Sequence, residues 1–213
     1  MTKWFSREER DLAFVPRWSV VRSIHQQSVA EHCFFVVSYT YQICNILEMS
    51  REDTLRAVEY AIVHDMSEAY TGDWSGPAKR SLVTDDAAAQ NWVNHQNAAR
   101  FNVVFCTWVA KYGMIDKIRQ IVKCADLIDE ALHMAGEAQM GNASVQGVNY
   151  NVLDRLHKAT AALEPYGRVE AFNTLKRAIN EAVEASRECM SMSVKNDKDV
   201  DKSVKICRSQ HQG

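Results

Sequence analysis

Proline and glycine are scarce, at three and eight of 213 residues. Both residue types interrupt helices, so their scarcity leaves room for long uninterrupted ones. A long apolar run is missing as well. The longest, about Phe101 to Ala110, is far short of the roughly 20 residues a membrane span needs. The N-terminus, MTKWFSREERD, has no apolar signal core. The six cysteines (Cys33, Cys44, Cys106, Cys124, Cys189, Cys207) form no C-x-x-C pair and are too sparse for a disulfide scaffold. Most sit in apolar helical patterns, where cysteine acts as a small hydrophobe. The expectation is a reduced, cytoplasmic protein. Basic excess is absent too. The net charge of −2 speaks against a duplex nucleic-acid binder and leaves a small anionic substrate open.

What is present is helical periodicity. Hydrophobic residues make up 46% and charged residues 24%, enough for a sizeable core, and the length suits one domain. No run alternates as a strand does. A short helix is expected over Ser6–Ala13, followed by an irregular segment to Gln27. Ser28 and Glu31 form an S-x-x-E capping box. It opens a helix to about Leu47 with Val29, Cys33, Val36, Thr40, Ile43 and Leu47 on one face. Ser50 and Asp53 resemble a second box, opening a helix to about Tyr70 that Gly72 would end. Leu55, Val58, Ile62, Met66 and Ala69 would be its inner stripe. Further helices are expected over Thr84–Lys111, Ile115–Ala138, Tyr150–Leu163 and Tyr166–Met190. The predicted fold class is all-α, a compact bundle of six or seven helices over residues 1–190. Residues 191–213, mixed in charge and aperiodic, read as a disordered tail.

The segment VHDMSEAYTGDW, Val63 to Trp74, is unusual for a packing helix. His64 and Glu68 are four apart, and Asp65 and Glu68 three apart, which are neighbouring positions on a helix surface. On the preceding helix His32 sits beside Val29 and Val36. On the later one Asp126 sits beside Val122, Asp129 falls nearly inside the apolar stripe, and His133 is a turn further on. Three helices thus each bring a metal-capable group near the core. Two imidazoles and two carboxylates make a mixed N/O site suited to a divalent transition ion, Mn²⁺, Fe²⁺, Co²⁺, Ni²⁺ or Zn²⁺. Each group alone has an ordinary explanation: a satisfied core histidine, or for Asp126 a surface acid paired with Lys123. Taken jointly these explanations weaken, because buried charges are costly unless paired or metal-bound.

His32, then His64-Asp65, then Asp126 resembles the H…HD…D signature of the HD-domain phosphohydrolases. RWSVVRSIHQQSVAEH (Arg17–His32), HDMSEAYTGD (His64–Asp73), PAK (Pro77–Lys79) and KCAD (Lys123–Asp126) resemble in particular the bacterial 5′-deoxynucleotidases and the phage dATP triphosphohydrolases. The resemblance covers about Phe14 to Leu163. It implies that His32, His64, Asp65 and Asp126 hold one divalent metal and that Glu68 is the catalytic acid/base. It also implies that Arg17 and Trp18 line the nucleotide pocket, that Asp73 reads the deoxyribose 3′-hydroxyl and disfavours a 2′-hydroxyl, and that Lys79 lies near the phosphate. Asp129 is not a ligand in that pattern; a supporting or structural role is expected of it, and its inward angle keeps it as a reserve ligand.

The implied activity is cleavage of the bond between the 5′-oxygen and the α-phosphorus of a deoxyribonucleotide. A 5′-deoxynucleotidase acting on monophosphates is the leading expectation. A dNTP triphosphohydrolase breaks the same bond and is the alternative, with Arg22 and Arg80 as extra cations. A non-catalytic nucleotide-binding bundle is a third. The resemblance further implies a homodimer or higher oligomer, in which Trp92, Phe105 and Trp108 fit either an interface or the core. No membrane or duplex nucleic-acid partner is expected.

Overall fold

Ser28 starts the first long helix through a reciprocal cap. Its hydroxyl accepts the Glu31 backbone N–H, and the Glu31 carboxylate accepts the Ser28 N–H at 2.7 Å. The computed structural model describes residues 8–66, 68–73, 75, 115–182 and 184. In them, α1 (Glu8–Asp11) runs into a 3₁₀ turn, Leu12–Phe14. Then come α2 (Val29–Ile46), α3 (Arg51–Val63), α4 (Glu68–Thr71), α5 (Asp116–Gln139) and α6 (Gln146–Ala161). A last helix, α7, spans 169–182. The chain is mostly helical, and the described residues hold no strand beyond one isolated bridge between Pro16 and Ser28. None of their helices is long and apolar enough to cross a membrane. The expected helix over Thr84–Lys111, Lys79 and Arg80, the three aromatics Trp92, Phe105 and Trp108, and the tail lie outside the described residues.

α5 is the central element and packs on α2, α3 and α6. Ile118, Ile121, Leu127, Ile43, Leu156 and Leu175 are fully buried in one cluster drawn from α2, α5, α6 and α7. Each such side chain removed from water contributes about 1.5–3 kcal/mol. The α2 stripe expected from periodicity is the observed inner face, with Val29, Val36, Thr40, Ile43 and Leu47 buried.

The second capped helix differs from expectation in two ways. Leu55 and Ile62 are 54% and 50% exposed, and the buried face is Ala57 and Ala61. Small residues win there because α3 must approach both α2 and α5 closely, and a methyl permits it. The helix also stops at Val63 instead of running on to Tyr70. Residues 64–66 form a turn, closed by Met66 N–H to Val63 O and Glu68 N–H to Asp65 O (3.3 and 3.0 Å). α4 then restarts at Glu68 and ends, as expected, at Gly72, which takes φ +72°.

The irregular segment before α2 is folded back on α5. Arg17 N–H reaches Gln27 O, and Val29 N–H reaches Val15 O, at 2.8 and 2.9 Å. The fully buried Glu137 carboxylate accepts the Ile24 and His25 N–H groups and the Asn142 amide (2.6, 2.7 and 2.6 Å). Burial alone would raise the Glu137 pKa, but these donors outweigh it and hold the group below its ordinary value. A depressed folded pKa contributes stability above the ordinary glutamate range, lost as pH falls through the folded value. Glu137→Gln is therefore expected to destabilise the protein at pH 7 by about 1.5–3 kcal/mol. Chemical denaturation should show the gap to wild type closing as pH drops below the ordinary glutamate range.

Candidate metal centre

The break after Val63 orients the first imidazole. A helix ends with its last carbonyls lacking intrahelical partners. His64, the C-cap, turns its Nδ1–H onto Ala61 O at 2.7 Å. That bond leaves Nε2 with the lone pair. Across the interface His32, wholly buried on α2, does the same by other means. Its Nδ1–H donates to Asp129 Oδ2 at 2.6 Å, and Asp129 in turn accepts from the Gln27 amide at 3.0 Å. A carboxylate behind an imidazole fixes its tautomer and makes the far nitrogen a better ligand.

The two free Nε2 atoms meet two carboxylates. His32 Nε2 lies 3.5 Å from Asp65 Oδ2 and 3.4 Å from Asp126 Oδ1, and His64 Nε2 lies 3.4 Å from Asp65 Oδ2. Donor atoms of His32, His64 and Asp126 all fall within 4.8 Å of one another. Four donors about 2.1 Å from a tetrahedral ion are about 3.4 Å apart, so the spacing fits. The buried Nε2 atoms of both histidines have no hydrogen-bond partner among the described residues. Buried polar atoms left so are rare and call for an explanation. A cation held by His32, His64, Asp65 and Asp126 is one, and the residues present fit it.

Asp126 serves both explanations left open by its position. Its Oδ2 accepts from Lys123 at 2.6 Å, and its Oδ1 faces the histidines. Burial would raise its pKa, but Lys123, His32 and Arg17 outweigh it and hold the group well below the ordinary range. For His32, burial and Arg17 pull the pKa down. The hydrogen bond to Asp129 and the nearby carboxylates of Asp65 and Asp126 prevail, lifting it to about 9. The cluster thus favours positive charge at this point.

Arg17 is buried beside the cluster, its Nη1 3.8 Å from Asp65 and its Nη2 3.5 Å from Glu130, which Arg155 holds from the other side at 3.1 Å. Nε and Nη1 of Arg17 have no hydrogen-bond partner among the described residues. Trp18 takes φ +61°, and its N–H donates to Asp73 Oδ2 at 3.1 Å. This ties the segment before α2 to the turn after α4. The Trp18 ring stacks on His133, with centroids 5.9 Å apart. Glu68 is buried at the start of α4. Burial first, and then the charges of Asp65, Glu68 and Asp126, raise the Cys33 thiol above its ordinary value. Lys79 lies outside the described residues.

The chain has relatives. The family model described as 5′-deoxynucleotidase YfbR-like matches residues 5–175. The chain belongs to the YfbR-like family. It is an HD-domain phosphohydrolase, and so an enzyme of the hydrolase class. A 5′-deoxynucleotidase of Vibrio parahaemolyticus is 27% identical over 141 residues, covering 62% of this chain and 73% of the relative. A dATP triphosphohydrolase of an Acinetobacter phage is 27% identical over 155 residues, covering 68% and 73%. Among solved structures, the HD phosphohydrolase of cyanophage S-2L, bound to dA and one catalytic Zn²⁺ ion, superposes with a TM-score of 0.66 at 18% identity. That match covers 86% of this chain and 99% of that one.

Sequence reasoning named the four converging groups but missed the roles of Gln27 and Glu130. The signal for Glu130 was readable, since Asp126, Asp129, Glu130, His133 and Glu137 recur at helical spacing on one side of α5. Gln27 gave none. Asp129→Ala should cut divalent-metal affinity by about 10–100-fold by freeing the His32 ring. Calorimetric titration with Zn²⁺ or Mn²⁺ measures it.

Proposed function

We propose that this enzyme is a 5′-deoxynucleotidase, removing phosphate from deoxyribonucleoside 5′-monophosphates. The observation that carries the reading is the convergence of His32 and His64 Nε2 with Asp65 and Asp126 beside the buried guanidinium of Arg17. The reaction joins a water oxygen to phosphorus, breaks the bond from phosphorus to the 5′-oxygen, and moves one proton onto that oxygen. A divalent ion on the four ligands, such as the zinc named for the cyanophage structure, supplies polarisation of the phosphoryl oxygen and a lowered pKa for the attacking water.

The chain's own residues do the rest. Arg17 offers Nε and Nη1 to phosphate oxygens, and Glu130 with Arg155 holds its head in place. Glu68 takes the proton of the attacking water and returns one to the leaving 5′-oxygen, a contribution of about 10²–10⁴-fold. Asp73, braced by the Trp18 N–H, keeps a second carboxylate oxygen for the sugar 3′-hydroxyl and crowds a 2′-hydroxyl. Lys79 adds charge near the phosphate.

The triphosphohydrolase reading has support in the phage relative, and the same centre would serve it. Phosphate release from dNMPs supports the nucleotidase. Triphosphate release from dNTPs, seen as phosphate only after adding pyrophosphatase, supports the other. Full activity after exhaustive chelation would sink both.

Glu68→Gln should retain metal and substrate binding while kcat falls by about 10²–10⁴-fold; an unchanged kcat removes its role. Asp73→Asn should narrow the preference for deoxyribo- over ribonucleotides, read as the ratio of their kcat/KM values.

A further inference from the structure

Arg17 is buried within reach of two carboxylates of different kinds. Its Nη1 lies 3.8 Å from Asp65 Oδ2, too long for a hydrogen bond, and its Nη2 lies 3.5 Å from Glu130 Oε1. Asp65 is a candidate metal ligand and Glu130 is not. Burial disfavours the Arg17 charge, but Asp126, Asp65, Glu130 and Asp73, in that order, outweigh it. The ligand carboxylates therefore pull on the guanidinium harder than Glu130 does.

A guanidinium gains most from a two-point fork on one carboxylate. Arg17 makes no such fork with Asp65, and its Nε and Nη1 have no hydrogen-bond partner among the described residues. Glu130 by itself is a weak counterweight. It is buried on α5, and burial and the charge of Asp126 raise its pKa. A neutral carboxyl would give Arg17 a bond about half as strong as one between two charges. Arg155 reaches Glu130 from α6. Its Nη1 lies 3.1 Å from Glu130 Oε2, and it leads the cations that favour the charged carboxylate. One oxygen of Glu130 thus serves Arg155 and the other serves Arg17.

We infer that Arg155 is a positioning residue: through Glu130 it holds Arg17 off Asp65, which leaves Asp65 to the cation and Arg17 Nε and Nη1 to the phosphate. Without Arg155, the guanidinium closes on Asp65 and occupies the lone pairs a metal needs. It also spends the N–H groups meant for phosphate. The phosphate half of this inference rests on the nucleotidase reading above. The metal half does not.

Arg155 is partly exposed, so Arg155→Met keeps much of the side-chain stem and removes the charge without opening the core. Thermal unfolding checks that the variant is intact. The first readout needs no turnover: calorimetric titration of the metal-free protein with Zn²⁺ or Mn²⁺. Arg155→Met should bind the ion about tenfold more weakly, and Arg155→Lys should recover most of that loss. Glu130→Gln should show a similar loss, and adding Arg155→Met to it should cost nothing more. Arg17→Met leaves no guanidinium to close on Asp65, so there too Arg155→Met should cost nothing more. The second readout is dNMP hydrolysis at saturating metal, where KM should rise about tenfold in Arg155→Met while kcat falls less. Four results overturn the metal half: no divalent ion bound by wild type, wild-type affinity in Arg155→Met, no recovery in Arg155→Lys, or an undiminished further loss in either background. An unchanged KM overturns the phosphate half. If metal affinity shifts as expected yet no deoxynucleotide is hydrolysed, the nucleotidase reading falls while the positioning role at the metal stands.

Discussion

A wholly buried imidazole wedged among three carboxylates has very little freedom, and His32 is in that position. Its Nδ1–H is committed to Asp129, so its Nε2 must face Asp65 and Asp126. Burying this many charged groups in one place is unfavourable unless opposite charge is supplied. Lys123 and Arg17 supply part of it from the protein. The two Nε2 atoms border a gap that a cation would fill. Most local features of the fold follow from meeting this constraint.

The interruption of the helix at Val63 is one such feature. A continuous helix would spend the Ala61 carbonyl on a backbone bond. Stopping it there gives that carbonyl to His64 and aims the second imidazole at the first. The small Ala57 and Ala61 faces let α3 come close enough for the pair to meet. Arg17 arrives from a segment without regular structure, which is why so many bonds hold that segment: the Pro16–Ser28 bridge, the Glu137 carboxylate, and Asn142 and Ser144 on the Arg22 carbonyl. A loop residue can act with precision only where such bonds replace the order a helix would provide.

The same wiring ties the candidate metal centre to the segment before α2. Gln27, Asp129 and His32 form one hydrogen-bonded line from the segment before α2 to the candidate ligands. Trp18 is joined to Asp73 through its backbone and to His133 through its ring. The segment before α2 is thereby tied both to the turn after α4 and to α5.

How much of this was legible in the chain depends on the range of the interaction. Ser28 and Glu31, the α2 stripe and Gly72 are local rules of capping, periodicity and positive φ, and they read correctly from their neighbours alone. Periodicity showed that His32, His64, Asp65, Asp126, Asp129 and His133 sit near apolar stripes that must turn inward, and the resemblance to the H…HD…D signature singled out His32, His64, Asp65 and Asp126 among them. What periodicity could not give was the face of α3. Its small residues pack closer than its large ones, and only the approach of α2 and α5 decides that. Nor could it give the break at Val63, which depends on a side chain finding a carbonyl. The pairings of Asp129 with His32, Glu130 with Arg17, and Glu137 with the backbone of Ile24 and His25 join positions 97 to 113 residues apart. Sequence by itself determined which chemical groups were available and on which helices. The tertiary structure alone decided their partners, because hydrogen bonds and charge depend on distances in space that no local pattern encodes.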